Sequence, residues 1–194
     1  MESTLDIAGI IADKYDVQLS TDDLQQIASV MGYRELEKGE LYLKQGAVAK
    51  DFIYVRSGMI RQFYYKKGHD VTEHFTCEGS TLAFCIVSLF RDQPTSLMIE
   101  ALEPSVIYTI PNNSLKTLSL QFPNIAKLHI SILESGLIIS QQKADSWRFE
   151  TARERYERFI KEYPEVAKRA SVNHISSYLL MAPESLSRVR AGAL

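Results

Sequence analysis

Only two cysteines, Cys77 and Cys85, occur in this 194-residue chain. They are too few for a disulfide framework, or for a four-cysteine metal or iron–sulfur site within one chain. Histidine is scarce as well: His69, His74, His129 and His174 fall mostly on different segments. No clustered His and carboxylate set suggests a metalloenzyme, so no metal, no cofactor and no enzymatic activity are expected. No apolar run approaches a membrane span. Residues Met1 to Asp6 carry neither a basic flank nor an apolar signal core, and a cytoplasmic location is expected. A strong charge excess is missing too. The formal net charge of −2 argues against nonspecific coating of nucleic acid.

What is present is the composition of an ordinary globular protein, 45% hydrophobic and 24% charged. The length suits one large domain or two small ones with a real core. Charge is unevenly spread. Residues 1–142 hold 12 Lys and Arg against 17 Asp and Glu; residues 143–194 hold 10 against 7. An acidic body with a modestly basic tail suits a DNA-reading C-terminus.

The first two segments, Thr4–Tyr15 and Thr21–Met31, read as helices, the second capped by Ser20 or Thr21. From Tyr33 to Pro111 short β-forming runs alternate with turn signals: Tyr33–Glu37, Glu40–Lys44, Asp51–Arg56, Met59–Lys66, Asp70–Thr76, Leu97–Leu102 and Val106–Ile110. About seven or eight strands at this spacing suggest an antiparallel sandwich or barrel, best a jelly roll. Beyond Pro111 the pattern is helical. Asn112 or Asn113 is the expected cap of a helix through Gln121, and a long helix is expected over about Pro123–Ser146. Its apolar residues do not form one stripe. Ile125, Leu128, Ile132 and Ile139 approximate one seam, while Ile130, Leu133, Leu137 and Ile138 point elsewhere. Such a helix is buried on more than one side, either between the roll and a second chain or inside a monomer. A charged helix is expected over Glu150–Tyr163, with Tyr156, Phe159 and Ile160 as its apolar face.

The closing stretch, Ser171–Arg190, reads as two short helices around a tight break. Ile175 and Leu179 share one face, Leu186 and Val189 another, Met181 plugs the angle, and Pro183 suits a first turn. This pattern fits a helix-turn-helix, and equally two helices of any small helical domain.

The order roll, long helix, helix-turn-helix resembles the Crp/Fnr family of bacterial transcription regulators. The resemblance covers roughly residues 20–190 and rests on several segments. These are Lys50–Arg61, with its Arg56-Ser57-Gly58-Met59 turn, Glu37-Lys38-Gly39-Glu40, and Gly68-His69-Asp70-Val71-Thr72. It implies an α+β fold: an N-terminal antiparallel jelly roll of the cyclic nucleotide-binding kind, a long dimerisation helix and a C-terminal helix-turn-helix domain. The expected division is 1–122, 123–146 and 147–194. Where the family holds a cyclic nucleotide with a Gly-Glu-Leu segment and an Arg-Ser pair, this chain has Ala83-Phe84-Cys85 and Thr95-Ser96. The ribose carboxylate has become Phe84 and the phosphate Arg has become Thr95. A buried cyclic phosphate without its cation would be costly, so an effector of another kind, or an empty roll, is expected. The candidate ligand residues are Leu82, Phe84, Cys85, Thr95 and Ser96.

For DNA, the resemblance implies base reading by Arg188 and Glu184, and phosphate contacts by Ser185, Ser187, Arg190, Asn173 and His174. Leu180 stands where the family usually has Gly in the turn. The implied partners are a roughly palindromic DNA duplex, a second copy of the chain, an unidentified effector and, as a partner the family allows, RNA polymerase. The competing expectation is a ligand-binding module that acts on protein partners without touching DNA.

Overall fold

Ser3 and Ser20 start their helices in the same way. Each serine hydroxyl accepts from the N–H three residues on, and the Asp there accepts from the serine N–H. These reciprocal caps open α1 (Thr4–Lys14) and α2 (Thr21–Val30). The computed structural model describes residues 2–83 and 85–192, with residues 81–83 described by their backbone alone.

Eight strands follow: β1 (Gly32–Leu36), β2 (Leu41–Leu43), β3 (Asp51–Ser57), β4 (Met59–Lys66), β5 (His69–Cys77), β6 (Ser80–Ala83), β7 (Met98–Ala101) and β8 (Ser105–Pro111). They form two antiparallel four-stranded sheets, ordered β1-β8-β3-β6 and β2-β7-β4-β5. Gly58 makes the sharp step between β3 and β4. Its φ is +85°, and a Cβ there would lie 2.5 Å from the Pro104 carbonyl oxygen, so no other residue fits without rearrangement.

The seven expected strands are all present within one or two residues. Three elements were not expected: the four-residue β6, a short helix α3 (Ile86–Arg91) between β6 and β7, and a six-residue helix over Pro164–Arg169. After β8 come α4 (Asn112–Gln121), α5 (Pro123–Phe149), α6 (Ala152–Glu162), α7 (Pro164–Arg169), α8 (Val172–Tyr178) and α9 (Pro183–Arg190). The expected cap of α4 is corrected. Pro111 occupies the cap position without a side-chain bond, while Asn112 lies inside the helix and donates to the Leu89 carbonyl oxygen at 2.9 Å. The charged helix starts later than expected, at Ala152, with Thr151 as its cap. The long helix runs three residues further, to Phe149.

Side-chain alternation divides the interior into three cores. Ile53, Val55, Ile60, Ile99 and Ile107 meet between the sheets. On the outer face of the first sheet, Phe52, Tyr54, Tyr108 and Ile110 pack against α1, α2, α4 and the first half of α5 through Ile7, Ile11, Leu115, Ile125, Leu128 and Ile132. On the outer face of the second, Met59 and Phe75 pack against Phe159, Val166, Ile175, Tyr178 and Leu186 of the closing helices. The layers are thus helix, sheet, sheet, helix, and α5 passes from one side of the roll to the closing unit. Among the described residues no helix is long and apolar enough to cross a membrane.

Candidate functional site

Two features carry chemistry: the closing helix pair, and a cavity where α5 crosses the end of the roll.

In the helix pair, Ser171 caps α8 by accepting from the His174 N–H at 3.1 Å. At the other end Leu180 takes φ 52°, the left-handed region. Its N–H reaches the Ser177 carbonyl oxygen at 3.2 Å, and the Met181 N–H reaches that of Ser176 at 3.0 Å. These two bonds make a Schellman closure, normally built on Gly. Leu in that conformation costs about 1–2 kcal/mol, offset by the two satisfied carbonyls. Met181 sits half-buried against the third core. Pro183 occupies the first turn of α9.

Leu186 and Val189 turn inward. Glu184, Ser187, Arg188 and Arg190 are exposed, Ser185 is half-buried, and Asn173 of α8 is exposed. On this face the Ser187 hydroxyl donates back to the Pro183 carbonyl oxygen, and the Arg190 guanidinium lies over Tyr156 at 5.7 Å. His174 is placed differently. It faces the roll, its Nε2 3.8 Å from Asp70 Oδ2, with 22% of its side chain exposed. Burial, aided by Arg61, pushes its pKa down, and Asp70 opposes this.

The pair is held to the roll by more than apolar packing. The Thr72 N–H on edge strand β5 donates to Ser177 Oγ of α8 at 3.1 Å. Arg61 is buried beneath, donating to Glu100, Asp70 and Thr72. Arg169 of α7 bridges Glu78 and Glu103 of the roll with contacts of 2.6–2.9 Å. Arg169 meets Glu78 with two parallel donors, a fork geometry that favours one orientation of α7 against the roll.

The cavity has a volume of about 450 Å³. Gln62 and His74 face each other across β4 and β5 and enter it from the roll. Cys85, Ile86, Phe90 and Leu97 form an apolar wall, completed from α5 by Ile132, Leu133, Leu137 and Ile139. Lys143 and Glu73 close one end. Glu73 sits there because of a bulge. Gln62 pairs with His74 and Phe63 with Thr72, leaving Glu73 opposite no partner. Lys143 Nζ donates to the Glu73 carbonyl oxygen and to Oε1 at 3.0 Å. Burial pushes the Lys143 pKa down while Glu73 opposes it. Burial, with a smaller push from Lys143, lowers His74 to about 3, so this imidazole is neutral at pH 7.

Of the expected ligand residues, Cys85 lines the cavity, its thiol raised by burial to about 11. Phe84 lies outside the described residues, and so does the side chain of Leu82. Thr95 is buried but committed elsewhere: its hydroxyl accepts from the Leu97 N–H at 3.0 Å, and its backbone bonds Gly46 and Ala47. Ser96 is exposed. Neither Thr95 nor Ser96 borders the cavity. Gln62, Glu73 and Lys143 were not foreseen as lining residues; His74 was weighed only as a metal ligand. Among the described residues no group of three or more His, Cys, Asp or Glu side chains is placed to hold a metal ion.

Among curated proteins no sequence match to this chain was found. Residues 33–121 match the family described as cyclic nucleotide-binding domain. FixK2 from Bradyrhizobium japonicum shares the fold with a TM-score of 0.72 at 19% identity, over 84% of each chain. The c-di-GMP-responsive global regulator CLP of Xanthomonas campestris gives 0.66 at 14% identity, over 89% of this chain and 91% of its own. DNR from Pseudomonas aeruginosa gives 0.56 at 21%, over 99% of this chain and 88% of its own. At these identities the likeness is one of architecture: a cyclic nucleotide-binding-like roll followed by helices, shared with regulators of the Crp/Fnr type.

Proposed function

We propose that this chain is a homodimeric, sequence-specific DNA-binding transcription regulator whose roll is its sensing domain. The observation that carries the reading is α9. It buries Leu186 and Val189 and leaves Glu184, Ser187, Arg188 and Arg190 in solvent, at the end of a tightly closed two-helix unit. The likeness to the regulators DNR and CLP supports the same reading.

In this reading α9 enters the major groove. Arg188 gives two donors to guanine O6 and N7, and Glu184 accepts from a cytosine amine. Ser185, Ser187, Arg190 and Asn173 hold phosphates. His174 joins them only by leaving Asp70. The exposed Ile130, Leu137 and Ile138 of α5 pair with a second copy. The two recognition helices then read half-sites about 34 Å apart. The working division is a sensor of residues 1–122, a dimer helix of 123–146 and a reading head of 147–194. RNA polymerase is a further partner, the location is cytoplasmic, and no catalysis is assigned. With Thr95 in place of an arginine, a cyclic phosphate lacks its cation, so the effector is not a cyclic nucleotide held in the usual way.

Selection from a pool of random duplexes tests this. Enrichment of a two-fold symmetric site with half-sites one helical turn apart is expected. Failure to enrich any sequence at low salt would favour a module that acts on protein partners.

A further inference from the structure

Lys143 is the one cation among the described residues that line the roll–helix cavity, and it also borders a second cavity. That one, about 270 Å³, lies between α5 and the closing helices beside Arg158, Tyr163 and Tyr178. Its ammonium is 4.8 Å from the Trp147 ring centroid and 5.2 Å from that of Tyr178. Tyr178 belongs to α8 and is packed within 5.5 Å of both Phe75 and Phe159. One side chain therefore touches the cavity, the roll and the helix pair.

Lys143 and Glu73 are unequally placed. The Lys143 side chain is 12% exposed and Glu73 36%. A buried ammonium must keep an anionic partner, whereas a carboxylate at the rim can turn into water at little cost. His74 is neutral and brings no charge to the cavity, and the rest of the wall is largely apolar. We propose that the cavity takes an apolar molecule bearing a single anionic group, and that this group replaces Glu73 as the partner of Lys143. The exchange shifts the ammonium against Tyr178 and so reaches α8. The proposal rests on the roll being the sensor and names its ligand class and its link to the head.

Trp147 is the sole tryptophan of the chain and reports the position of Lys143. The full chain is titrated with octanoate, 4-phenylbutyrate, the matching alcohols octan-1-ol and 4-phenylbutan-1-ol, and cyclic AMP. At least one carboxylate is expected to give a saturable change in Trp147 emission and to bind at least tenfold tighter than its alcohol. Lys143→Met should weaken the carboxylate tenfold or more while the alcohol binds as before, which shows an intact cavity. Glu73→Gln, which removes the competing carboxylate, should tighten it. Hydrogen exchange of α8 amides should quicken in the carboxylate-bound protein and not in Lys143→Met. Saturation by none of the probes or by cyclic AMP alone, equal affinity for acid and alcohol, or undiminished carboxylate binding by Lys143→Met overturns the ligand class. Binding with unchanged exchange in α8 overturns the relay. A protein that binds the carboxylates but enriches no duplex would leave this inference standing and remove the DNA reading.

Discussion

The two halves of α5 share one helix but not one environment. In the first half Ile125 and Leu128 are fully buried against the roll and α4, and Ile132 nearly so. In the second half Leu137 is 71% exposed, Ile138 56% and Phe149 79%. A helix apolar all round must find a surface for each side. The first half finds it largely within the chain, with Ile130 left 54% exposed; the second half leaves Leu137, Ile138 and Phe149 in solvent. The difference explains why the apolar residues of this helix resist a single stripe: one set is buried within the chain and a second set, on another side of the same element, stays exposed.

The largest effect expected follows from the exposed half. Leu137→Glu combined with Ile138→Glu should weaken self-association more than a hundredfold by sedimentation. Each apolar side chain contributes roughly 1.5–3 kcal/mol when buried, and a two-fold interface counts it twice. The urea midpoint of the dilute monomer should not move. An unchanged association constant would show that something other than a second copy covers this face.

The buried half should behave in the opposite way. Leu128→Ala should cost about 3–4 kcal/mol in urea unfolding, a typical cavity-forming loss, with the monomer otherwise associating as before. A loss under 1 kcal/mol would mean that the two halves are not as different as their burial.

Between the halves lies the cavity with His74. Its folded pKa, about 3, lies below the ordinary histidine value, so the unfolded chain binds more protons between the two. The stability it contributes is present above about pH 6.5 and falls as the pH drops toward 3. From pH 7 to pH 5 the loss attributable to His74 is about 2 kcal/mol, at about 1.4 kcal/mol per pH unit below the unfolded value. His74→Gln should flatten that part of the curve, and an unaltered slope would place the acid sensitivity on other groups.

The smallest effect concerns the turn of the helix pair. Leu180→Gly should stabilise the fold by up to about 1 kcal/mol, because Gly adopts positive φ without the steric cost. Destabilisation would mean that the half-exposed Leu180 side chain contributes more contact than its conformation costs.

Much of the fold is legible in the chain because its turns are punctuated. Gly39, Gly46, Gly58, Gly68 and Gly79 all have positive φ, and β2, β3, β4 and β5 lie between successive members of this series. The region 80–91 was not legible for a physical reason. The strand β6 is only four residues long. The helix α3 is entered through Cys85 at φ 55° and left through Asp92 at φ 51°, with no side-chain cap to announce it. The helix pair was read in its sequence positions, with Leu180 noted where the resemblance expects Gly in the turn; the positive φ it adopts is seen in the structure. His174 could not be assigned to the roll side, because that depends on how α8 docks on β5. The cavity was legible only in part. Cys85 was found through resemblance, whereas Glu73 enters it through a bulge, which breaks the alternation that would otherwise mark inward residues. Lys143 meets it from 70 residues away.

The most direct measurement compares affinities of the wild type and Arg188→Ala for a selected duplex and for a scrambled one at the same salt concentration. Loss of discrimination is expected: the selected duplex weakens by about 1–3 kcal/mol while the scrambled one is nearly unchanged. Equal weakening on both duplexes would reduce Arg188 to a phosphate contact and contradict α9 as the base-reading helix.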